Sequence, residues 1–126
     1  MGNFKASRQT ILVIDDEPII RLGAVDTIED LGFAAIEAEN ADAAVVILES
    51  RSDIAAVFTD IQMPGSMDGL KLASLIRERW PPIKILAASG NPSIVPGALP
   101  PGGRFLRKPY TPEQIGDALR ELIGAT

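Results

Sequence analysis

A short, mostly apolar run at residues 54–59 ends abruptly at Asp60, and a turn containing Pro64 and Gly65 follows it. A run of this kind, bounded by turn-forming residues, predicts a buried β-strand. In an open sheet of parallel strands, ligands bind beyond the carboxyl ends of the strands. The pattern therefore predicts that the carboxylate of Asp60 lies where a functional site can form.

Three other predicted strands also end in polar groups. They cover residues 10–14, 83–88 and 104–107, and a shorter strand is predicted at residues 34–38. Because the ends of parallel strands lie along one edge of a sheet, the polar groups that follow them are expected to meet. These groups are three acids, a hydroxyl and an ammonium group, carried by Asp15, Asp16, Asp60, Ser89 and Lys108.

Helical patterns separate the predicted strands. Apolar residues recur at helical spacing in residues 18–31, 41–51, 69–80 and 112–123. Helix-start signals precede all four, namely Glu17-Pro18, Asn40, Asp68 and the capping box that begins at Thr111. This alternation predicts an α/β domain with five parallel strands and helices on both faces of the sheet.

The segment at residues 90–103 departs from the alternation, which requires a helix between the fourth and fifth strands. It contains four prolines and several glycines. An interior proline costs a helix about 3 kcal/mol and a glycine about 1 kcal/mol relative to alanine. We therefore expect an irregular or shortened fourth helix, and we expect this segment to be the mobile part of any switch.

Composition narrows the classes of function. The chain has 126 residues, of which 46% are hydrophobic, as expected for one domain with one core. A flexible segment at residues 1–9 is predicted to precede a domain at residues 10–126. The net charge of -5 argues against a nucleic-acid partner. The absence of cysteine and histidine excludes disulfides, thiol catalysis and a phosphohistidine on this chain.

Targeting features are also absent from the sequence. The N-terminal residues lack the apolar core of a signal peptide. No apolar run approaches the roughly 20 residues that a membrane helix needs. The expectation is a cytoplasmic protein without a membrane partner.

The predicted cluster of polar groups favours phosphoryl-transfer chemistry. Three carboxylates and one lysine leave an excess of negative charge, which a hard divalent cation relieves. Mg²⁺ prefers oxygen ligands and is usually held by one or two carboxylates together with a phosphate. One carboxylate would attack phosphorus, while Lys108 neutralises the phosphoryl oxygens and Ser89 donates a hydrogen bond.

Each of these features also has an ordinary structural explanation. The paired acids before Pro18 can cap a helix, and Asp60 can be a loop acid. Ser89-Gly90 is common turn chemistry, and Lys108 can be a solvated charge. The functional interpretation is favoured because all four features fall at the predicted ends of strands.

Five short motifs together resemble the receiver domain of response regulators. They lie at residues 14–17, 59–65, 68–69, 88–90 and 106–109, and the resemblance covers roughly residues 9–124. It implies a flavodoxin-like, doubly wound sheet of five parallel strands. It also implies a role for each site residue: Asp60 as phospho-acceptor, Asp15, Asp16, Asp60 and the backbone carbonyl of Gln62 as Mg²⁺ ligands, Lys108 as the ion-pair partner, Ser89 as the switch hydroxyl, and Phe105 as the aromatic switch.

The resemblance further implies that the protein works in a two-component phosphorelay. The expected partners are a sensor histidine kinase or histidine phosphotransfer protein and an unidentified downstream protein, although a role as a phosphate sink stays open. The protein is not expected to turn over an external substrate. The chain is expected to be a stand-alone, single-domain regulator, although a domain excised from a hybrid kinase stays open.

Two alternatives belong to other functional classes. The first is a receiver-like interaction module that binds partners without phosphorylation, which the presence of every required residue type disfavours. The second is an aspartate-nucleophile phosphatase. That class typically carries an Asp-x-Asp arrangement after its first strand, whereas Asp15 and Asp16 are adjacent here. This chain also lacks the length for a substrate cap.

Overall fold

The computed structural model describes residues 8–124. The predicted flexible segment at residues 1–9 therefore lies mostly outside the described residues. Five strands form one parallel sheet with the order β2-β1-β3-β4-β5. The strands are β1 (Thr10–Ile14), β2 (Ala34–Ala38), β3 (Ile54–Asp60), β4 (Lys84–Ser89) and β5 (Arg104–Arg107). The predicted five-stranded, flavodoxin-like sheet is confirmed.

Four α-helices connect and cover these strands: α1 (Pro18–Asp30), α2 (Ala41–Ser50), α3 (Gly69–Arg79) and α4 (Pro112–Ile123). Helices α1 and α4 pack on one face of the sheet, and α2 and α3 pack on the other. The two layers of core share the central strands, whose side chains alternate between the faces. In β1, for example, Leu12 belongs to the α2–α3 side and Val13 to the α1–α4 side.

Local chemistry explains where three of these helices begin. The side chains of Asn40 and Asp68 accept hydrogen bonds from the third backbone N–H after each of them, at 2.8 and 2.9 Å. Thr111 and Gln114 form a reciprocal capping box. Each cap satisfies N–H groups that the first helical turn leaves without partners. The predicted starts are therefore confirmed.

The structure moves several of the predicted element ends by one residue. The first two helices end at residues 30 and 50, one residue before their predicted ends at 31 and 51. β3 extends through Asp60, one residue beyond the predicted end, and β4 runs from Lys84 to Ser89 rather than from Ile83 to Ala88. The third helix ends at Arg79, and Trp80 is its C-cap. The register pairs Asp60 with Ala88 and Ser89 with Arg107. Because these pairs lie at one edge, β3, β4 and β5 deliver their terminal side chains to the same place.

The segment between β4 and β5 contains a single 3₁₀ turn, Pro96–Ala98, in place of a full helix. The predicted shortening of this element is confirmed. Leu99 is buried against the α2–α3 core, while the guanidinium of Arg107 donates hydrogen bonds to the carbonyls of Asn91 and Ile94 at 2.9 and 3.3 Å. Arg77 donates another to the carbonyl of Pro101. Side chains thus supply part of the hydrogen bonding that a full helix would otherwise provide.

None of the helices described in residues 8–124 has both the length and the apolar character needed to cross a bilayer.

Candidate functional site

Three carboxylates meet at the carboxyl edge of the sheet. Asp15 and Asp16 follow β1, and Asp60 ends the adjacent strand β3. One oxygen from each carboxylate lies within 4.8 Å of the others. Asp15 and Asp60 are only 5% and 7% exposed, and Asp16 is half-buried. The structure therefore brings together the three acids that the sequence places at strand ends.

Lys108 completes this cluster from the loop after β5. Its Nζ atom lies 3.2 Å from Oδ1 of Asp60. The backbone N–H of Lys108 donates to the carbonyl of Ser89 at 3.0 Å, which ties this loop to the end of β4. A cis peptide bond joins Lys108 to Pro109. The ammonium group is therefore positioned by the sheet edge beside the buried carboxylate.

The environment of Asp15 disfavours its charged form. Burial raises the pKa of this carboxyl above its usual value, and the nearby charge of Asp60 raises it further. The backbone N–H of Glu17 donates to Asp15 Oδ1 at 2.9 Å and opposes the shift without cancelling it. A second cation beside Asp15, in addition to Lys108, would therefore stabilise the charged form of this carboxyl.

The donor atoms at this edge fit a hard divalent cation. Carboxylate oxygens from three side chains converge, and one ammonium group leaves the cluster with net negative charge. Mg²⁺ is bound in this way, through a small number of carboxylates with water or phosphate completing the shell. The acidic cluster is therefore compatible with Mg²⁺.

Tyr110 also borders the acids, although it was not among the site residues predicted from the sequence. With Asp15, Asp60 and Lys108 it lines a cleft of about 10 Å³. Its ring packs edge-on against Phe58, with the ring centroids 5.5 Å apart. Burial raises the pKa of Tyr110 to about 12, and the charges of the two acids add to this effect. In the sequence, Tyr110 lies only two residues after Lys108, and this closeness to a predicted site residue could have identified it.

Ser89 reaches the same edge, but its hydroxyl is engaged elsewhere. The side chain is fully buried. Its Oγ donates to Oε1 of Gln62 at 3.1 Å and accepts from the backbone N–H of Asn91 at 3.0 Å. The hydroxyl therefore bonds to residues of the loops that follow β3 and β4.

Phe105 and Gln62 are the remaining candidates from the sequence. Phe105 is half-buried in β5, and the guanidinium carbon of Arg107 lies 4.8 Å from its ring centroid. Gln62 lies two residues after Asp60 with an exposed side chain that contacts Ser89. This side-chain contact had no signal in the sequence, because it depends on how two separate loops approach each other.

Comparison with known proteins identifies relatives of this site and fold. The family model described as response regulator receiver domain matches residues 11–120. The chain is 32% identical over 109 residues to the nitrogen assimilation regulatory protein NtrX of Azorhizobium caulinodans, and 30% identical over 118 residues to the sensor kinase CckA of Brucella abortus. These matches cover 83% and 90% of this chain. The chain spans only 24% and 12% of the length of these two relatives.

Solved structures agree with these matches. A response regulator receiver protein of Sinorhizobium medicae superposes with a TM-score of 0.87 at 31% identity, covering 95% of this chain and 98% of that one. The response regulator TrrA of Thermotoga maritima, solved in complex with Mg²⁺-BeF, superposes with a TM-score of 0.79 at 26% identity. That match covers 90% of this chain and 98% of TrrA.

Proposed function

The chain belongs to the response regulator receiver domain family, and from this premise we propose that Asp60 accepts a phosphoryl group from a phosphohistidine. The donor is a sensor histidine kinase or a histidine phosphotransfer protein. The observation that carries the proposal is the geometry of Asp60. Its buried carboxylate lies 3.2 Å from the ammonium of Lys108 and within 4.8 Å of two further acids.

The transfer is an exchange of one bond to phosphorus for another. A carboxylate oxygen of Asp60 attacks phosphorus, and the bond between phosphorus and the donor's imidazole nitrogen breaks. The electron pair of that bond returns to the imidazole, and an acyl phosphate forms on Asp60. Lys108 neutralises negative charge on the phosphoryl oxygens during this step.

The acyl phosphate is later lost by hydrolysis. Water attacks phosphorus, the bond to the Asp60 oxygen breaks, and inorganic phosphate leaves while the carboxylate is restored. The chain therefore acts on its own phosphorylated side chain and does not turn over an external substrate.

Mg²⁺ is the proposed cofactor. Asp15, Asp16, Asp60 and the backbone carbonyl of Gln62 would hold it, and the bound ion would supply positive charge for the phosphoryl oxygens. The convergence of three carboxylates supports this assignment. The structure of the relative TrrA with Mg²⁺-BeF supports it further.

The signal is proposed to leave through protein contact in the cytoplasm. Ser89 would hydrogen-bond the phosphoryl group, and Phe105 would respond as the aromatic switch. The half-buried ring of Phe105 lies under Arg107, whose guanidinium also holds the segment at residues 90–103. The net charge of -5 supports a downstream protein rather than nucleic acid as the partner.

An apolar surface beside the acids suits the docking of the phosphoryl donor. Helix α1 begins directly after the acids and exposes Ile19 by 83% and Leu22 by 52%. Next to it, a groove of about 470 Å³ runs toward α4, and Lys108 and Tyr110 are among its lining residues. Exposed apolar side chains that border a site are typical of interaction surfaces.

Intact-mass measurement tests the proposed function. The protein is incubated with Mg²⁺ and acetyl phosphate, or with a phosphorylated histidine kinase. We expect a gain of one phosphoryl group, which Asp60→Asn abolishes. Asp68→Asn is the matched control, because an asparagine there retains the oxygen that accepts from the Lys71 N–H. Undiminished labelling of Asp60→Asn contradicts the assignment, and no labelling of the wild type favours the phosphorylation-independent module.

A further inference from the structure

The hydroxyl of Ser89 has a defined pair of hydrogen bonds. Its proton is donated to Oε1 of Gln62 at 3.1 Å, and its oxygen accepts the backbone N–H of Asn91 at 3.0 Å. Ser89 is fully buried, whereas Gln62 is exposed on the loop that follows Asp60. An exposed amide thus fixes the direction of a buried hydroxyl at the edge of the candidate site.

A hydroxyl carries a single proton to donate. The oxygens of a fully ionised phosphoryl group only accept hydrogen bonds, so Ser89 has to donate its proton in order to bind one. That proton is already committed to Gln62. The amide of Gln62 and a phosphoryl group on Asp60 therefore compete for the same donor.

We propose that the side chain of Gln62 is a positioning residue that latches Ser89 in the unphosphorylated state, and that phosphorylation of Asp60 has to open this latch. The proposal rests on the proposed function, because it assumes a phosphoryl group on Asp60. The main chain of Gln62 is assigned to Mg²⁺, so one residue would contribute both to the metal site and to the resting position of the switch.

The latch is also connected to the segment at residues 90–103. Asn91, whose N–H bonds to Ser89, is the second residue of this segment, and its carbonyl accepts from Arg107 at 2.9 Å. When the Ser89 side chain rotates so that its Oγ atom moves toward Asp60, its hydrogen bonds to Gln62 and to Asn91 change together. Opening the latch therefore alters the start of the segment as well as the hydroxyl.

The chemistry of the side chain at position 62 makes the latch testable. Methionine has a similar length but no strong acceptor, so Gln62→Met frees the Ser89 proton. Glutamate accepts more strongly than the amide and has no N–H to offer, so Gln62→Glu holds Ser89 more firmly. Both changes leave the backbone carbonyl in place.

The experiment measures the affinity for beryllofluoride, a phosphoryl mimic, in the presence of saturating Mg²⁺. Gln62→Met is expected to bind it about threefold to tenfold tighter than wild type, the range of one net hydrogen bond, and Gln62→Glu is expected to bind it more weakly. In a Ser89→Ala background, Gln62→Met is expected to have no effect, because the competing proton is gone. Ser66→Ala is the control, since Ser66 lies on the same loop and bonds to Asp42.

The measured affinities for beryllofluoride can support or overturn the latch. Equal affinities of wild type and Gln62→Met overturn the latch, and so does a gain that persists in the Ser89→Ala background. Wild-type protein that binds no beryllofluoride overturns the proposed function and the latch together. Gln62→Ala, which also lacks the acceptor, gives the same test if Gln62→Met does not fold.

Discussion

A Cβ atom on Gly69 would clash with the backbone oxygen of Asp60 and would lie 2.7 Å from the Cα of Ile61. The N–H of Gly69 donates to the carbonyl of Ile61 at 2.8 Å. The first turn of α3 is therefore packed directly against the backbone that carries the proposed phospho-acceptor. Only glycine allows this close approach between the start of α3 and the end of β3.

Gly69→Ala is expected to destabilise the protein by about 1–3 kcal/mol, because the methyl group meets backbone atoms that no rotamer change can move. Denaturant unfolding measures this cost. Gly23→Ala is the matched control, since Gly23 is exposed within α1 and a Cβ there meets no atom within 4 Å. The control is expected to stabilise by up to about 1 kcal/mol, so equal effects of the two changes would contradict the packing argument.

Mg²⁺ is expected to raise the stability of the protein by binding the clustered acids of the native state. At a free concentration of ten times Kd the gain is roughly 1.4 kcal/mol, or several degrees in Tm. Asp16→Asn relieves repulsion, so it should raise the metal-free Tm and weaken the response to Mg²⁺. Asp26→Asn, an exposed position in α1, should leave that response intact. Identical melting curves with and without saturating Mg²⁺ would exclude the metal site.

Tyr110 is the single tyrosine of the chain, so tyrosinate absorbance reports on this one side chain. In the native protein it is expected to titrate near pH 12, because burial raises its pKa to about 12. In guanidinium the midpoint should fall to about 10. Tyr110 stays protonated to a higher pH in the native state than in the unfolded state. The resulting contribution to the free energy of unfolding is therefore complete below about pH 10 and is lost as pH rises toward 12. A midpoint near 10 with circular dichroism intact would show an exposed ring.

The apolar residues at the start of α1 are expected to recruit the phosphoryl donor. Ile19→Ser should slow transfer from a phosphorylated kinase roughly fivefold or more, as loss of an anchoring side chain does at interfaces. Labelling by acetyl phosphate should stay unchanged, because that donor needs no protein surface. Val46→Ser is the control, since Val46 is 64% exposed on α2 and lies away from the groove. Slowing of both donors by Ile19→Ser would indicate damage to the site itself.

Much of the fold could be predicted from the sequence because its signals are local. Asn40, Asp68 and Thr111 each satisfy N–H groups within one turn, so their effect does not depend on distant residues. The clustering of Asp15 and Asp60 followed from strand direction alone, since parallel strands end at one edge.

Side-chain direction at the site could not be predicted in this way. The hydrogen bond that Ser89 donates to the side chain of Gln62 had no signal in the sequence. Tyr110 reaches the acids from a loop, and Gly69 owes its importance to a close backbone approach. Each of these features depends on contacts between residues that are distant in sequence, and the strand and helix patterns of the sequence do not indicate such contacts.

The segment at residues 90–103 is expected to exchange its amide hydrogens far faster than α4. Its internal backbone hydrogen bonds are isolated, such as those from Ile94 to Asn91 and from Ala98 to Val95, whereas α4 is a continuous helix. Isolated bonds open without disrupting neighbours, so they protect amides poorly. Hydrogen exchange with mass spectrometry measures the difference. Slow, helix-like exchange across the whole segment in the unmodified protein would contradict the prediction.

Binding of beryllofluoride with Mg²⁺ is expected to change protection at the start of this segment, because Asn91 is bonded to Ser89. Arg107→Met tests the anchor. It removes the donors to Asn91 and Ile94 but keeps an apolar stem against Phe105. Exchange of the amides in residues 90–95 should accelerate, while α4 should exchange as in the wild type. Acceleration in α4 as well would mean that Arg107 stabilises the fold as a whole rather than holding this segment.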